Sequence, residues 1–442
     1  MAQGRNTVTL RFSLASPLAR VMFGLIVVAL CAALGRLIIA QFIVGVFSDP
    51  RTTLTKAELQ AAATYYPDSS ILQSLLAEAE MTEAADHEGT AARAVSLATR
   101  AANLSPWRHD LRMILASAQD LNGNRAAAEA SLREAIRLAP NNAEVHWRLA
   151  NLLVRESKLD AALDYFRAAV TADITRLPSV LNLVWDVSDG KVSAVDAVAG
   201  SKPGARLGLA FFLFKQARLD EAAEIFAQVD RQARIRAASE TANFLNALTS
   251  AGKADLSRKL WAELAIGKRG GDLPLVWNGG FEEDLATVQA RFDWEISSSK
   301  YAAVAIDPGA GRTGSRSLRV DFAGVDTTTL DGEFKQLILV RPGGRYRLEC
   351  FVKTRNLATP EGPRLVILGN ASSSPIATTA PVAAGSNDWQ PLAVDFIVPA
   401  DAKTIEIRIR RQPKFSYDEP TNGIIWFDDI SLTELIGPGG RK

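Results

Sequence analysis

A step of 34 residues organises the middle of this chain. AEVHWRLANLLVRESKLDAALDYFRAAV, residues 143–170, aligns with the stretch one step earlier. Leu115 and Ala116 fall on Leu149 and Ala150, and Ala128, Leu132 and Ala135 fall on Ala162, Phe166 and Ala169. Pro140 closes the earlier unit, and one more step back gives Ala94, Ala98, Ala101 and Pro106. ARLGLAFFLFKQARLDEAAEIFAQV, 205–229, repeats the pattern at Leu209, Ala210, Leu219, Ala222 and Phe226, offset by 60 residues from the 143 unit. The extra length holds a degenerate pair around 177–200, and a last weak copy covers 238–265. Units of this length are helical hairpins that cannot bury their apolar faces alone. Stacking buries a continuous core and leaves a concave surface. The stretch 52–266 is rich in Ala, Leu, Arg and Glu with little alternation, which predicts helix throughout.

Small residues where two helices cross, with large apolar residues at their ends, resemble the tetratricopeptide repeat family. The resemblance covers about half the chain. It departs from the family pattern where Gln119 and Leu153 replace the usual aromatic, and where no proline follows residue 170. By resemblance, Asp110, Met113, Ser117 and Asp120 take the concave slots of one inner helix, and Glu144, Trp147, Asn151 and Val154 those of the next. Leu207, Phe211 and Phe214 fill the later slots. In similar repeats these slots contact peptides, so Asp110, Asp120, Trp147, Asn151, Phe211 and Phe214 are the candidate protein-binding residues. The alternative is that neighbouring elements bury them.

Composition changes at about residue 267. GKRGGDLPLV reads as a linker, 267–276. After it SLRVDF (317–322), RYRLECFVKT (345–354), LAVDFIV (392–398) and TIEIRIRR (404–411) each place apolar residues on one parity. RPGG, TPEGP and AAGSND are turn clusters between them. Many short strands without intervening helices predict an all-β jelly-roll sandwich over 277–436, followed by a tail, 437–442. WNGGFEED (277–284), GSRSLRVDF (314–322), RPGGRYRLECFVKT (341–354), the run 387–411 and GIIWFDDISL (423–432) together resemble the carbohydrate-binding jelly-roll modules associated with xylanases and cellulases.

Sugar binding needs aromatic faces that stack on pyranose rings, which makes Trp294, Tyr301, Trp389 and Tyr417 the carbohydrate-binding candidates. Strand parity puts Ile424, Trp426, Asp428, Ile430 and Leu432 on one face unless a bulge shifts the register. A carboxylate among apolar neighbours needs a partner or a metal. In the similar modules a structural calcium sits where the first strand meets the last, and by that resemblance Glu282 and Asp428 are its candidate ligands. The alternative is that Asp428 caps a turn or accepts backbone N–H bonds. Adjacent residues on a strand point to opposite faces, so Asp428 and Asp429 cannot flank one glycosidic bond.

GAGRTG, 309–314, has dinucleotide-loop spacing but runs into a strand rather than a helix, so a phosphate-cradling helix is missing. His87, His109 and His146 all lie in the helical part, so the sandwich cannot assemble a Ser–His–Asp or Cys–His arrangement. Cys31 and Cys350 do not make a disulfide framework, and Cys350 is on the core parity of its strand. Net charge is +1, which supplies no field for nucleic acid.

At the N-terminus Arg5, Arg11 and Arg20 precede an apolar run, and Arg36 interrupts it. Val21 to Ala40 makes about 30 Å of helix, the thickness of a hydrocarbon core. This predicts a cytoplasmic segment, 1–17, and a transmembrane signal-anchor helix, 18–47, with the bulk of the chain on the periplasmic or extracellular side of the inner membrane. A cleaved signal peptide is the competing reading. The whole reads as multidomain: a transmembrane helix, an all-α tetratricopeptide-like solenoid over 52–266, and the sandwich. The function this implies is a non-catalytic scaffold for protein partners and a polysaccharide, in exopolysaccharide or cell-envelope assembly. A purely protein-binding assembly factor and a polysaccharide-modifying enzyme with an unrecognised site are the alternatives.

Overall fold

The computed structural model describes residues 17–47, 55–84, 89–266, 273–369, 374–415 and 420–435. The chain packs as two compact units, Met1–Val198 and Ala199–Lys442.

The first unit is helical: α1 (Pro17–Phe47), α2 (Lys56–Tyr65), α3 (Ser70–Glu83), α4 (Thr90–Leu104), α5 (His109–Leu121), α6 (Arg125–Leu138), α7 (Ala143–Arg155), α8 (Leu159–Ala172), α9 (Leu177–Val187) and α10 (Val192–Ala199). The starts follow from capping chemistry. Thr55 and Glu58 form a reciprocal capping box at α2. Asn142 Oδ1 accepts from Glu144 N at 2.9 Å and Val145 N at 3.2 Å at α7. Buried small residues (Ala94, Ala98, Ala128, Ala135, Ala162 and Ala169) let the paired helices approach closely.

The expected membrane span is corrected. Among the described residues no helix is long and apolar enough to cross a membrane. Arg20 and Arg36 bracket 15 uncharged residues of α1, about 22 Å of helix against a hydrocarbon core of about 30 Å. Carrying Arg36 into that core would cost about 3 kcal/mol. The placement of the chain as a single-pass inner-membrane protein, with its bulk on the far side, falls with the span.

The second unit opens with α11 (Pro203–Lys215), α12 (Leu219–Gln228), α13 (Arg231–Arg236), α14 (Ala238–Ser250) and α15 (Ala254–Ala265). The hairpin turns show the repeat at atomic level. Gly123, Ser157, Ala217 and Gly252 all take positive φ, at 79°, 61°, 59° and 80°. Each donates its N–H back three residues, to Asp120, Val154, Phe214 and Thr249 respectively. The turn requires a left-handed residue, and two of the four positions, Ser157 and Ala217, carry a side chain. A side chain there costs about 1–2 kcal/mol, partly offset by glycine's larger unfolded-state entropy. Ser157→Gly and Ala217→Gly are each expected to raise stability by about 0.5–1 kcal/mol. A lower melting temperature in either variant would contradict the turn geometry.

The strands follow: β1 (Glu295–Ile296), β2 (Ala302–Asp307), β3 (Ser317–Ala323), β4 (Leu330–Leu339), β5 (Arg345–Ala358), β6 (Arg364–Gly369), β7 (Pro375–Thr378), β8 (Gly385–Ile397), β9 (Thr404–Arg411) and β10 (Asn422–Glu434). They form two antiparallel five-stranded sheets, β1-β4-β9-β6-β7 and β2-β3-β10-β5-β8. Alternate residues fill the layer between them, including Leu348, Cys350, Ile405, Ile407, Ile409 and Phe427. Burial pushes the Cys350 thiol up to about 12, so it is inert core.

Two features of this unit depart from a simple parity reading. In β10 the register with β5 shifts between Asp428 and Ser431, and Asp429 takes φ 45°. This bulge switches the inward set from Ile425 and Phe427 to Ile430 and Leu432. Asp428 therefore shares the face of Ile424 and Trp426, as the parity reading expects, while the bulge turns Ile430 and Leu432 to the other face. The last helices also pack on the sandwich. Trp261 of α15 is fully buried, with Trp277 and Phe292 each at 6.0 Å. Arg258 donates to the carbonyls of Pro274 and Leu275.

Candidate functional site

In the first unit the inner helices α3, α5 and α7 line one groove. One part, about 550 Å³, is walled by Met81, Asp120, Trp147, Arg148, Asn151 and Arg155. An adjoining part, about 620 Å³, adds Glu78, Asp110 and Met113, with Met81, Ser117 and Arg148 common to both. Asp110, Asp120, Trp147 and Asn151, chosen from their repeat slots, are thus brought together. All four are half-buried.

The repeat explains how each is held. Asn151 Nδ2 donates to Trp147 O at 2.7 Å, one turn back on α7. Its amide oxygen makes no hydrogen bond among the described residues and is left as an acceptor. The Trp147 ring rests edge-on against Phe166 of α8 at 5.5 Å, which fixes the indole while leaving it partly exposed. Asp120 pairs with Arg155 across one repeat step and lies 3.9 Å from Arg125. Arg148 bridges Glu144 at 2.7 Å and Ser117 Oγ at 3.0 Å. Burial pushes the Glu78 carboxyl up. The groove therefore offers methionine and indole surface beside fixed polar groups, the composition of a peptide-binding surface.

Phe211 and Phe214 lie in the second unit. Phe211 packs against Phe226 at 6.4 Å and Phe244 at 6.5 Å, and Phe214 meets Phe244 at 5.5 Å. Both pack against Phe244 of α14 and remain half-buried.

The carbohydrate candidates separate. Trp294 is buried between Phe281 and Phe334, its Nε1 donating to Asn278 O at 3.0 Å, so neither ring face can meet a sugar. The sequence marks it as aromatic but carries no signal for its face. Tyr301 is half-buried against the sandwich core, with Lys300 Nζ 4.8 Å from its ring centroid. Trp389 is half-buried on the edge strand β8, with Lys353 Nζ at 6.0 Å. Tyr417 lies outside the described residues.

Glu282 and Asp428 have a common neighbour, the glycine-rich loop 309–316. Asp428 Oδ2 accepts from Arg312 N at 2.6 Å and Thr313 N at 3.3 Å, and its Oδ1 accepts from Asp429 N at 2.7 Å. Glu282 Oε1 accepts from Arg316 N at 2.7 Å and Ser315 N at 2.9 Å. The N–H groups of Arg316 and Ser315 hold the Glu282 carboxyl below its usual range, whereas burial pushes that of Asp428 up. Asp429 adds Arg312 and Thr313, and the Arg312 guanidinium sits 3.4 Å from the Phe351 ring centroid. The loop's amides cradle the protein's own carboxylates. Gly279 completes the junction: Ile430 N donates to its carbonyl at 2.9 Å, and a Cβ there would stand 1.8 Å from Ile430 O.

Glu282 and Asp428, the calcium ligands expected by resemblance, both accept backbone N–H bonds, the alternative the sequence left open for Asp428. Among the described residues no group of three His, Cys, Asp or Glu is placed to hold a metal. A chelator is expected to leave the melting temperature unchanged, and a fall of several degrees would contradict this arrangement.

Stacked helical hairpins with a lined inner groove, followed by a two-sheet sandwich, define a tetratricopeptide-like helical region joined to an all-β module. The tetratricopeptide repeat family model matches residues 109–142. No curated protein sequence matches the chain. Among solved structures, one described as "CBM4 structure and function" is 20% identical at a TM-score of 0.28, covering 36% of this chain and 99% of that one. Another, "Crystal structure of MamA", is 16% identical at a TM-score of 0.28, covering 32% of this chain and 82% of that one.

Proposed function

We propose that the chain is a non-catalytic scaffold whose helical repeats hold a peptide segment of a protein partner. The observation that carries this is the groove across α3, α5 and α7, where Met81, Trp147 and the free amide oxygen of Asn151 converge. Peptides selected from a random display library on the full chain test it. Trp147→Ala and Asn151→Ala are each expected to weaken the selected peptides at least tenfold, as loss of a central aromatic or polar anchor does. Selected peptides that bind both variants as well as the parent chain would place the site elsewhere.

The β-sandwich contributes the second contact in this reading, to a polysaccharide. Trp389 favours it, as the carbohydrate candidate left half-exposed on a strand edge. A glycan array probed with the full chain tests this part, and an array with no signal would leave the sandwich as a protein-contacting module.

A further inference from the structure

We infer that a cavity between α14 and the segment 285–297 takes a neutral saccharide of one or two rings. This rests on reading the sandwich as the glycan-contacting module, and adds a saccharide site separate from Trp389. The cavity measures about 590 Å³ and is lined by Asn246, Gln289, Arg291, Asp293, Glu295 and Lys335, among others. That volume lies within the ordinary range for small-ligand sites.

Asp293 is the feature that calls for a ligand. It is 3% exposed and lines the cavity. Each of its oxygens accepts one backbone N–H, from Trp294 at 2.8 Å and Ala286 at 2.6 Å. Among the described residues no cation pairs with it, and burial pushes its carboxyl up. A buried carboxylate without a counter-charge is costly unless further donors reach it.

The nearby cations are already engaged. Lys335 lies 3.3 Å from Glu295, and Arg291 lies 2.9 Å from Glu406 and 3.9 Å from Glu295. Two cations and two carboxylates in the lining cancel, which disfavours a charged ligand. Saccharide hydroxyls meet both needs: they donate to Asp293 and accept from the amides of Gln289 and Asn246.

Calorimetric titration of the full chain with glucose, galactose, mannose, cellobiose, maltose and lactose tests the inference. At least one of them is expected to bind. Gln289→Ala, at an exposed position, and Asp293→Asn are each expected to weaken it tenfold or more, with Trp389→Ala within twofold of the parent chain. Asp293→Asn is read only if its melting temperature matches the parent's, and Gln289→Ala decides the matter otherwise. Binding lost in Trp389→Ala but kept in Gln289→Ala would overturn the cavity and leave the glycan reading standing. Binding that neither cavity variant weakens would also overturn the cavity. No binding of any of the six sugars, with an array also blank, would overturn both.

Discussion

Trp261→Ala is expected to destabilise the second unit by about 3–5 kcal/mol, the usual cost of emptying a fully buried tryptophan site. For a unit of this size that is a fall in melting temperature of roughly 10 °C. The indole is enclosed by Trp277 and Phe292, so its loss opens a cavity between α15 and the sandwich. Thermal unfolding of the full chain, followed by near-ultraviolet circular dichroism, reads the effect. A change under 1 kcal/mol would mean that the last helices are not part of the sandwich's folding unit.

Asp428→Ala carries the second large effect. It removes the acceptor for three backbone N–H groups, two of them in the loop 309–316. Buried donors left without partners cost about 1–3 kcal/mol each, softened where water reaches the freed loop. A loss of about 3 kcal/mol in denaturant unfolding is expected, with Asp428→Asn losing less because its amide oxygen still accepts. Stability equal to the parent in both variants would contradict the pinning of the loop by this carboxylate.

How much of this was legible in the amino acids depended on the reach of each signal. The hairpins were, because helix periodicity and a 34-residue step reinforce each other. So were the main strands, whose parity is local. Asp110, Asp120, Trp147 and Asn151 could be gathered because a repeat maps sequence slots onto one face. The bulge at Asp428–Ile430 could not, since an extra residue in one strand shows only against its partner. Nor could the burial of Trp294 or the seating of Trp261, which depend on elements distant in sequence. The apolar stretch of α1 shows the limit of hydropathy read alone: between Arg20 and Arg36 it is too short to span.

Hydrogen exchange on the full chain, with and without a display-selected peptide, tests the groove most directly. New protection confined to α3, α5 and α7 is the predicted result. Protection that falls outside those helices, or binding with no protection at all, would contradict the account.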